Sequence, residues 1–273
     1  MTSAPAPLPE RDALELLRHG EITVLGRMAA ASNATLYAQI DAQGVGAHCI
    51  YKPTAGERPL WDFPEGTLSK REVAAYLVSV ATGWDVVPPT VWREGPFGAG
   101  SVQLWVEAVD DSGLIDVVPP SEVPAGWLTV LEAEGGRGEP VLLVHADDPR
   151  LSRMAVFDAV IDNADRKGGH VLHTADGHLW GVDHGVSFNV ESKLRTVLWG
   201  FAGSPLPPDA ADVLRALRSD LTDTSRGGLG AGLAELLAPA EIRRTRQRVD
   251  QMLRSCSFPL PPAHGPAIPW PPW

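Results

Sequence analysis

The stretch IDNADRKGGHVL, residues 161–172, decides how this chain is read. It packs Asn163, the acids Asp162 and Asp165, the bases Arg166 and Lys167, His170 and two glycines into one short loop. An apolar helical pattern runs into it from DDPRLSRMAVFDAVIDNA, where Asp148 is placed to cap a helix and Pro149 to open it. Leu151, Met154, Ala155 and Ile161 give that helix its apolar stripe. Downstream, VLHTADGHLWGVDHG reads as two short strands about the turn Ala175-Asp176-Gly177, ending in a second acidic loop, GVDHGVSF.

Upstream the character differs. Residues 35–40 and 47–52 read as strands joined by the turn at 41–44, with Ala47, Cys49 and Tyr51 on one face and His48, Ile50 and Lys52 on the other. LSKREVAAYLVSVATG then reads as a helix whose core face carries Val73, Leu77 and Val80, stopped by Gly83. Further strands follow Pro88-Pro89, including SVQLWVEA. A Gly/Pro-rich stretch leads to about residue 140. Residues 208–255 are helical, with Ile242, Val249, Met252 and Leu253 as a core face and Arg243, Arg244, Arg246 and Arg248 largely elsewhere.

The chain divides as a flexible lead-in (1–20), a strand-rich N-lobe (21–110), a helical C-lobe (111–257) and a Pro/Trp-rich tail (258–273). The tail is expected to be extended polyproline or disordered. This is an α+β arrangement of two lobes, and clefts between lobes commonly bind ligands.

Lysine is scarce, occurring only at 52, 70, 167 and 193, so each one carries weight. Lys52 ends a strand, Glu72 lies in the next helix, Asp165 follows the long helix, and Asp183 lies beyond the hairpin. Singly, each reads as a surface charge. In this order they match the needs of phosphoryl transfer from a nucleotide. A lysine holds the phosphates and a carboxylate fixes that lysine; one acid orients the incoming hydroxyl and another carries the metal ion.

At these residues the chain resembles the phosphatidylinositol 3/4-kinase superfamily. IYKPTAGERPLWDF is similar to the lysine-strand motif K-P-x-x-x-E-x-P of type II phosphatidylinositol 4-kinases, and REVAAYLVSVATGWDVVPPT to their following helix. GSVQLWVEA resembles the hinge strand, FDAVIDNADRKGGHVL the catalytic loop D-x-x-x-x-N-x-D-R, and GVDHGVSF the metal-binding loop. The likeness spans about residues 35–190 in collinear order. It implies a bilobal protein-kinase-like fold, with ATP and Mg²⁺ or Mn²⁺ as cofactors. Lys52 would then contact phosphates and Glu72 would pair with it. Asp165 would be the catalytic acid-base residue, braced by Arg166, and Asp183 would ligate the metal. Gln103, Leu104, Trp105, Val106 and Glu107 would lie along the adenine, mainly through backbone groups. Asp158 and Asn163 match loop-supporting positions.

Two positions depart from the family pattern. Five residues after Asp165 the family carries a metal-binding Asn; here it is His170, and imidazole suits Mn²⁺ better than Mg²⁺. The candidate phosphate loop, GRMAAASNATLYA, has one glycine, leaving Ser32, Asn33 and Thr35 as donors, and reads equally as an ordinary hairpin turn. His173, His178 and His184 crowd near His170 without an HxxxH helix or a Cys partner, so solvated or core-edge imidazoles are expected rather than a zinc site.

The 44% hydrophobic, 21% charged composition is that of a soluble globular protein, and no apolar run suits a membrane span. A net charge of -11 argues against nucleic-acid partners and anionic membrane surfaces. Cys49 and Cys256 form no CxxC pair, which with the absence of a signal-peptide pattern points to a reduced cytoplasm; the Arg bias points to a GC-rich bacterium. The expected activity is ATP-dependent phosphotransfer to a hydroxyl acceptor, with a protein or small molecule fitting at least as well as a phosphoinositide lipid. The alternative is a nucleotide-binding pseudokinase acting as scaffold or sensor. The Arg-rich C-terminal helix and the tail are candidate surfaces for a protein partner, though such a helix is more often simply solvated.

Overall fold

A computed structural model describes residues 8–28, 33–64, 66–109 and 113–273. Its first layer is a five-stranded antiparallel sheet of β1 (Glu21–Arg27), β2 (Leu36–Ala42), β3 (Val45–Pro53), β4 (Thr90–Gly95) and β5 (Gly98–Leu104). The spatial order is β1-β2-β3-β5-β4, so β3, which carries Lys52, lies in the middle. Its alternation follows the sequence: Cys49 and Tyr51 are buried while His48, Ile50 and Lys52 face the other way. Burial drives the Cys49 thiol up to about 12, with Arg93 opposing, which leaves it unreactive.

Residues 10–19 correct the expected lead-in. They form α1 (Glu10–His19), which buries Ala13, Leu16 and Leu17 against the sheet alongside Ile22, Ala38 and Ile40. Glu10 and Asp12 in its first turn and Arg18 and His19 in its last complement the helix dipole. The apolar face is short, and the Pro/Ala run before it hides the start.

Helix α2 (Leu68–Thr82) packs on β4 and β5 on one side and on helices α4 (Ala210–Asp220) and α5 (Leu229–Ala234) on the other. It is therefore buried nearly all round, polar residues Ser69, Arg71, Glu72 and Ser79 included. That double burial overrides the single stripe expected from spacing: Val73 is buried, Leu77 partly so, and Val80 is exposed. Gly83 ends the helix at φ 64°, a left-handed conformation that favours glycine.

A second sheet stands where a Gly/Pro-rich link and a helical lobe were expected. β6 (Ile115–Val118), β7 (Trp127–Glu134) and β8 (Pro140–Ala146) pair antiparallel in the order β6-β8-β7. Most of β7 is exposed, so it lacks the apolar alternation by which strands are recognised. Helix α3 (Pro149–Ile161) follows, then the short pair β9 (Val171–His173) and β10 (Leu179–Gly181). The larger core gathers α3, α4 and α6 (Pro239–Ser255) around Leu151, Met154, Phe157, Leu214, Val249 and Met252. Arg248 corrects the expected solvated face of α6: it is buried, ion-paired to Asp162 at 3.0 Å and bonded to the Asn189 and Glu191 carbonyls. No helix among the described residues is long and apolar enough to cross a membrane.

The tail has no regular secondary structure but packs on the body: the Thr196 amide and Trp199 indole both donate to the Ala267 carbonyl, at 3.1 and 2.7 Å.

Asp148 caps α3 by accepting from the Arg150 amide at 2.7 Å. Burial works to raise its pKa, but the Arg150 contacts outweigh it and hold the carboxylate below its ordinary range. Asp148→Ala is expected to cost about 1 kcal/mol in urea unfolding at neutral pH. A depressed folded-state pKa contributes stability above the unfolded pKa and loses it as pH falls through the folded one, so the wild-type advantage should shrink in acid. A cost that does not change with pH would contradict the assignment.

Candidate active site

The site grows from three elements that the two cores hold in place. Lys52 comes from β3, Glu72 from α2, and Asp183 from the turn after β10. The Lys52 Nζ lies 2.5 Å from Glu72 Oε1 and also donates to Asp183 Oδ1. The Lys52 side chain is 15% exposed, and Asp183 remains 50% exposed, open on its outer side. Burial alone would lower the lysine pKa, but the Asp183 and Glu72 carboxylates reverse it and hold the ammonium above its ordinary range. Lys52 in turn holds Asp183 well below the usual carboxylate range, outweighing the partial loss of water on its inner side. Asp183 adopts φ 59°, a left-handed conformation that Asp tolerates and that is enriched at functional turns.

Glu72 spans two groups, since its other oxygen accepts from the His184 amide at 2.9 Å. Helix α2 is set by Glu57 of the K-P-x-x-x-E motif. This carboxylate accepts from the Leu68 and Ser69 amides at 3.0 and 2.8 Å, satisfying donors at the helix start.

The loop after α3 is held by one buried guanidinium. Arg166 binds both oxygens of Asp158, at 2.8 and 3.0 Å, with both side chains fully buried. Its remaining donors reach the His170 and Val182 carbonyls, each at 3.1 Å, and His184 Nε2 at 2.6 Å. His184 therefore accepts at Nε2, consistent with burial and then Arg166 driving its pKa well below the ordinary value. The helical spacing that left the direction of Asp158 open resolves inward, and Asn163 Nδ2 adds a bond to it at 3.0 Å. Asn163 Oδ1 accepts from the Asp165 amide, also at 3.0 Å.

Asp165 itself is partly buried, with Lys167 Nζ 3.5 Å away. Burial raises its pKa and Lys167 opposes. His170 joins Asp165 to Asp183: its Nδ1 meets the Asp165 carbonyl at 3.0 Å, and its Nε2 faces Asp183 Oδ2 at 3.4 Å. Burial pushes its pKa down to about 4, with Asp183 opposing, so near neutral pH the ring is uncharged. A neutral ring bonded to a carbonyl through Nδ1 carries its proton there, leaving an Nε2 lone pair aimed at a carboxylate. Two facing acceptors are suited to share a cation, so Asp183 and His170 are the pair that could hold a divalent metal. Among the described residues no group of three or more His, Cys, Asp or Glu is assembled to hold one, and such an ion would complete its shell with ligand oxygens.

The other predicted positions divide. Gln103 turns its amide into the sheet, onto Thr90 Oγ1 at 2.8 Å. The Leu104 and Trp105 amides are committed to the Pro89 and His48 carbonyls, at 2.9 and 3.0 Å. Val106 and Glu107 have left the strand by then, with the Glu107 side chain accepting from the Trp105 indole. Asn33 Oδ1 accepts from the Arg58 amide at 2.8 Å, tying the turn before β2 to the segment after Lys52, and the Asn33 carbonyl accepts the Thr35 amide. Ser32 lies outside the described residues. The clustered histidines do scatter: His178 Nε2 meets the Asp85 carbonyl at 2.7 Å, while His184 is buried between Arg166 and Phe157. Of the residues not assigned a role from sequence, His184 and Glu57 matter most. Glu57 was visible only as a motif letter, and His184 only as one of several imidazoles.

No family model matches the chain. It is 49% identical over 269 residues to Protein Rv2133c of Mycobacterium tuberculosis (strain ATCC 25618 / H37Rv), covering 95% of each, and it belongs to the same family. The golgi casein kinase crystal structure superposes with a TM-score of 0.53 at 13% identity, over 93% of this chain and 79% of that one. A Helicobacter pylori proinflammatory kinase, CtkA, aligns over 89% and 94% of the two chains with a TM-score of 0.40 and 11% identity. The fold is α+β and kinase-like.

Asp158→Ala would strand the buried Arg166 charge, and removing one partner of such a pair costs about 3–5 kcal/mol. Urea unfolding should show a loss of that size, smaller for Asp158→Asn, which keeps a carbonyl acceptor. A change within error for Asp158→Ala would mean the guanidinium is not the brace of this loop.

Proposed function

We propose that this chain is an ATP-dependent phosphotransferase of the phosphatidylinositol 3/4-kinase-like type, nearest in motif to the type II phosphatidylinositol 4-kinases. The observation that carries the proposal is the convergence of Lys52, Glu72 and Asp183, with Asp165 joined to Asp183 through His170. Residues 21–110 and 111–257 then serve as the two lobes, and the nucleotide lies between them. The acceptor is a hydroxyl of a protein, a small molecule or a lipid; the kinase-like fold is compatible with all three.

In this reading Lys52 exchanges its Asp183 contact for the nucleotide phosphates, while Glu72 keeps the ammonium in place from the buried side. Ser32, Asn33 and Thr35 border the phosphates, with Asn33 contributing through the loop it ties down rather than through its amide oxygen. Backbone groups along Gln103 to Glu107 meet the adenine, with amide donors coming from Val106 and Glu107, because the Leu104 and Trp105 amides are occupied. Asp183 and His170 hold a Mg²⁺ or Mn²⁺ ion, which supplies charge neutralisation at the transferring phosphoryl group. The imidazole ligand favours Mn²⁺. Asp165 orients the incoming hydroxyl and takes its proton. Its burial raises its proton affinity, and Asn163 Oδ1 and His170 Nδ1 fix its backbone amide and carbonyl.

Asp165→Asn keeps the shape but removes the base and should lower γ-phosphate transfer by about two to four orders of magnitude. Transfer is scored with labelled ATP, Mg²⁺ or Mn²⁺, and protein, lipid and small-molecule acceptors in turn. Metal-dependent nucleotide binding by calorimetry, with no transfer to any acceptor and no effect of the substitution, would replace the enzyme with a pseudokinase.

A further inference from the structure

The Pro/Trp-rich tail, whose role the sequence leaves open, reaches the loop that carries Asp165. The Gly168 amide, three residues past Asp165, donates to the Pro272 carbonyl at 2.9 Å. The Trp273 ring lies flush against Gly168, so that a Cβ there would meet Trp273 Cζ3 at 2.6 Å. Gly168 has no positive φ that demands glycine; close approach of the tail is what excludes a side chain.

A second contact is indirect. The Arg166 amide donates to the Arg195 carbonyl, and the Val197 amide to the Arg166 carbonyl, both at 3.1 Å, so the loop lies along residues 195–197. From the other side, Ala267 accepts from both Thr196 and Trp199. The loop, this segment and the tail are thus stacked in sequence, and Pro269 is buried between the two anchor points.

The composition suits the task. Prolines at 269, 271 and 272 restrict the chain before it docks, which lowers the entropy lost on ordering. Proline also lacks an N–H, so the tail meets the loop with carbonyl acceptors where the loop offers amide donors.

We propose that Pro272 and Trp273 are positioning residues: the tail is a strap that fixes Lys167 and Gly168 and thereby the direction of Asp165. The strap rests on the phosphotransferase reading for its kinetic consequence, but not for its structural one. Because it holds the loop and not the nucleotide, it acts on kcat and leaves the nucleotide KM nearly unchanged.

Two measurements on the full chain test it. Hydrogen exchange followed over residues 164–172 needs no activity. Trp273→Ala, which removes only the ring, and Trp199→Phe, which removes the indole donor to Ala267, should each speed exchange there several-fold. Gly168→Ala should do so by about tenfold, since the new Cβ displaces Trp273. In the transfer assay Gly168→Ala should lower kcat by about tenfold with nucleotide KM within about twofold, and the Gly168→Ala/Trp273→Ala double variant should recover part of the loss because the clash is gone. Exchange unchanged in both tryptophan variants would overturn the strap, as would a kcat unmoved by Gly168→Ala in an active enzyme. Faster exchange in the variants, with a wild-type protein that transfers no phosphate, would leave the strap standing and refute the phosphotransferase reading alone.

Discussion

One ammonium shared by two carboxylates is the contact on which this structure depends. Lys52 leaves the middle of a sheet, Glu72 rises from a helix buried on both sides, and Asp183 sits on a turn held by the larger core. Each of these charges would be costly to bury alone, and together they compensate one another. Asp183 is left half exposed, so the set is closed toward the protein and open toward solvent. The proposed nucleotide–metal role would use that asymmetry: fixed charge behind, exchangeable contact in front.

A second buried charge supports the first. Arg166 spends its donors on Asp158, His184 and two carbonyls, and His184 in turn donates its amide to Glu72. The chain of contacts from Lys52 through Glu72 and His184 to Arg166 therefore joins the Lys52–Glu72–Asp183 cluster to the loop that bears Asp165. With its guanidinium fully committed inside the protein, Arg166 acts as a fixed brace rather than as a receptor for an incoming anion. Arg71 extends the bracing to α6, pairing with Glu241 and donating to the Ser187 carbonyl.

Much of this was legible in the sequence, and for identifiable reasons. The Lys52 strand showed in strict alternation, and α3 in a capping Asp followed by Pro. The collinear motifs brought Glu72, Asp158, Asp165, Arg166 and Asp183 together although they are far apart along the chain. What stayed hidden depends on packing that no local pattern encodes. The second sheet was missed because β7 is largely exposed and so lacks a buried face to betray it. Val80 was misplaced because α2 is enclosed from two sides, which erases a single stripe. Arg248 looked like one of several solvated arginines, and only Asp162, 86 residues earlier by the numbering, reveals it as buried. Which backbone groups of residues 103–107 are already paired was likewise hidden, because strand partners, not letters, decide it: the Leu104 and Trp105 amides bond the Pro89 and His48 carbonyls.

The central claim is that Lys52, Asp183 and His170 face one nucleotide–metal site. A crystal structure of the full chain with a non-hydrolysable ATP analogue and Mn²⁺ addresses all three at once. The account predicts Lys52 Nζ on phosphate oxygens with its Glu72 contact kept, and Mn²⁺ bound by both Asp183 and His170 Nε2. An analogue bound elsewhere, with Lys52 still closed on Asp183, would contradict it.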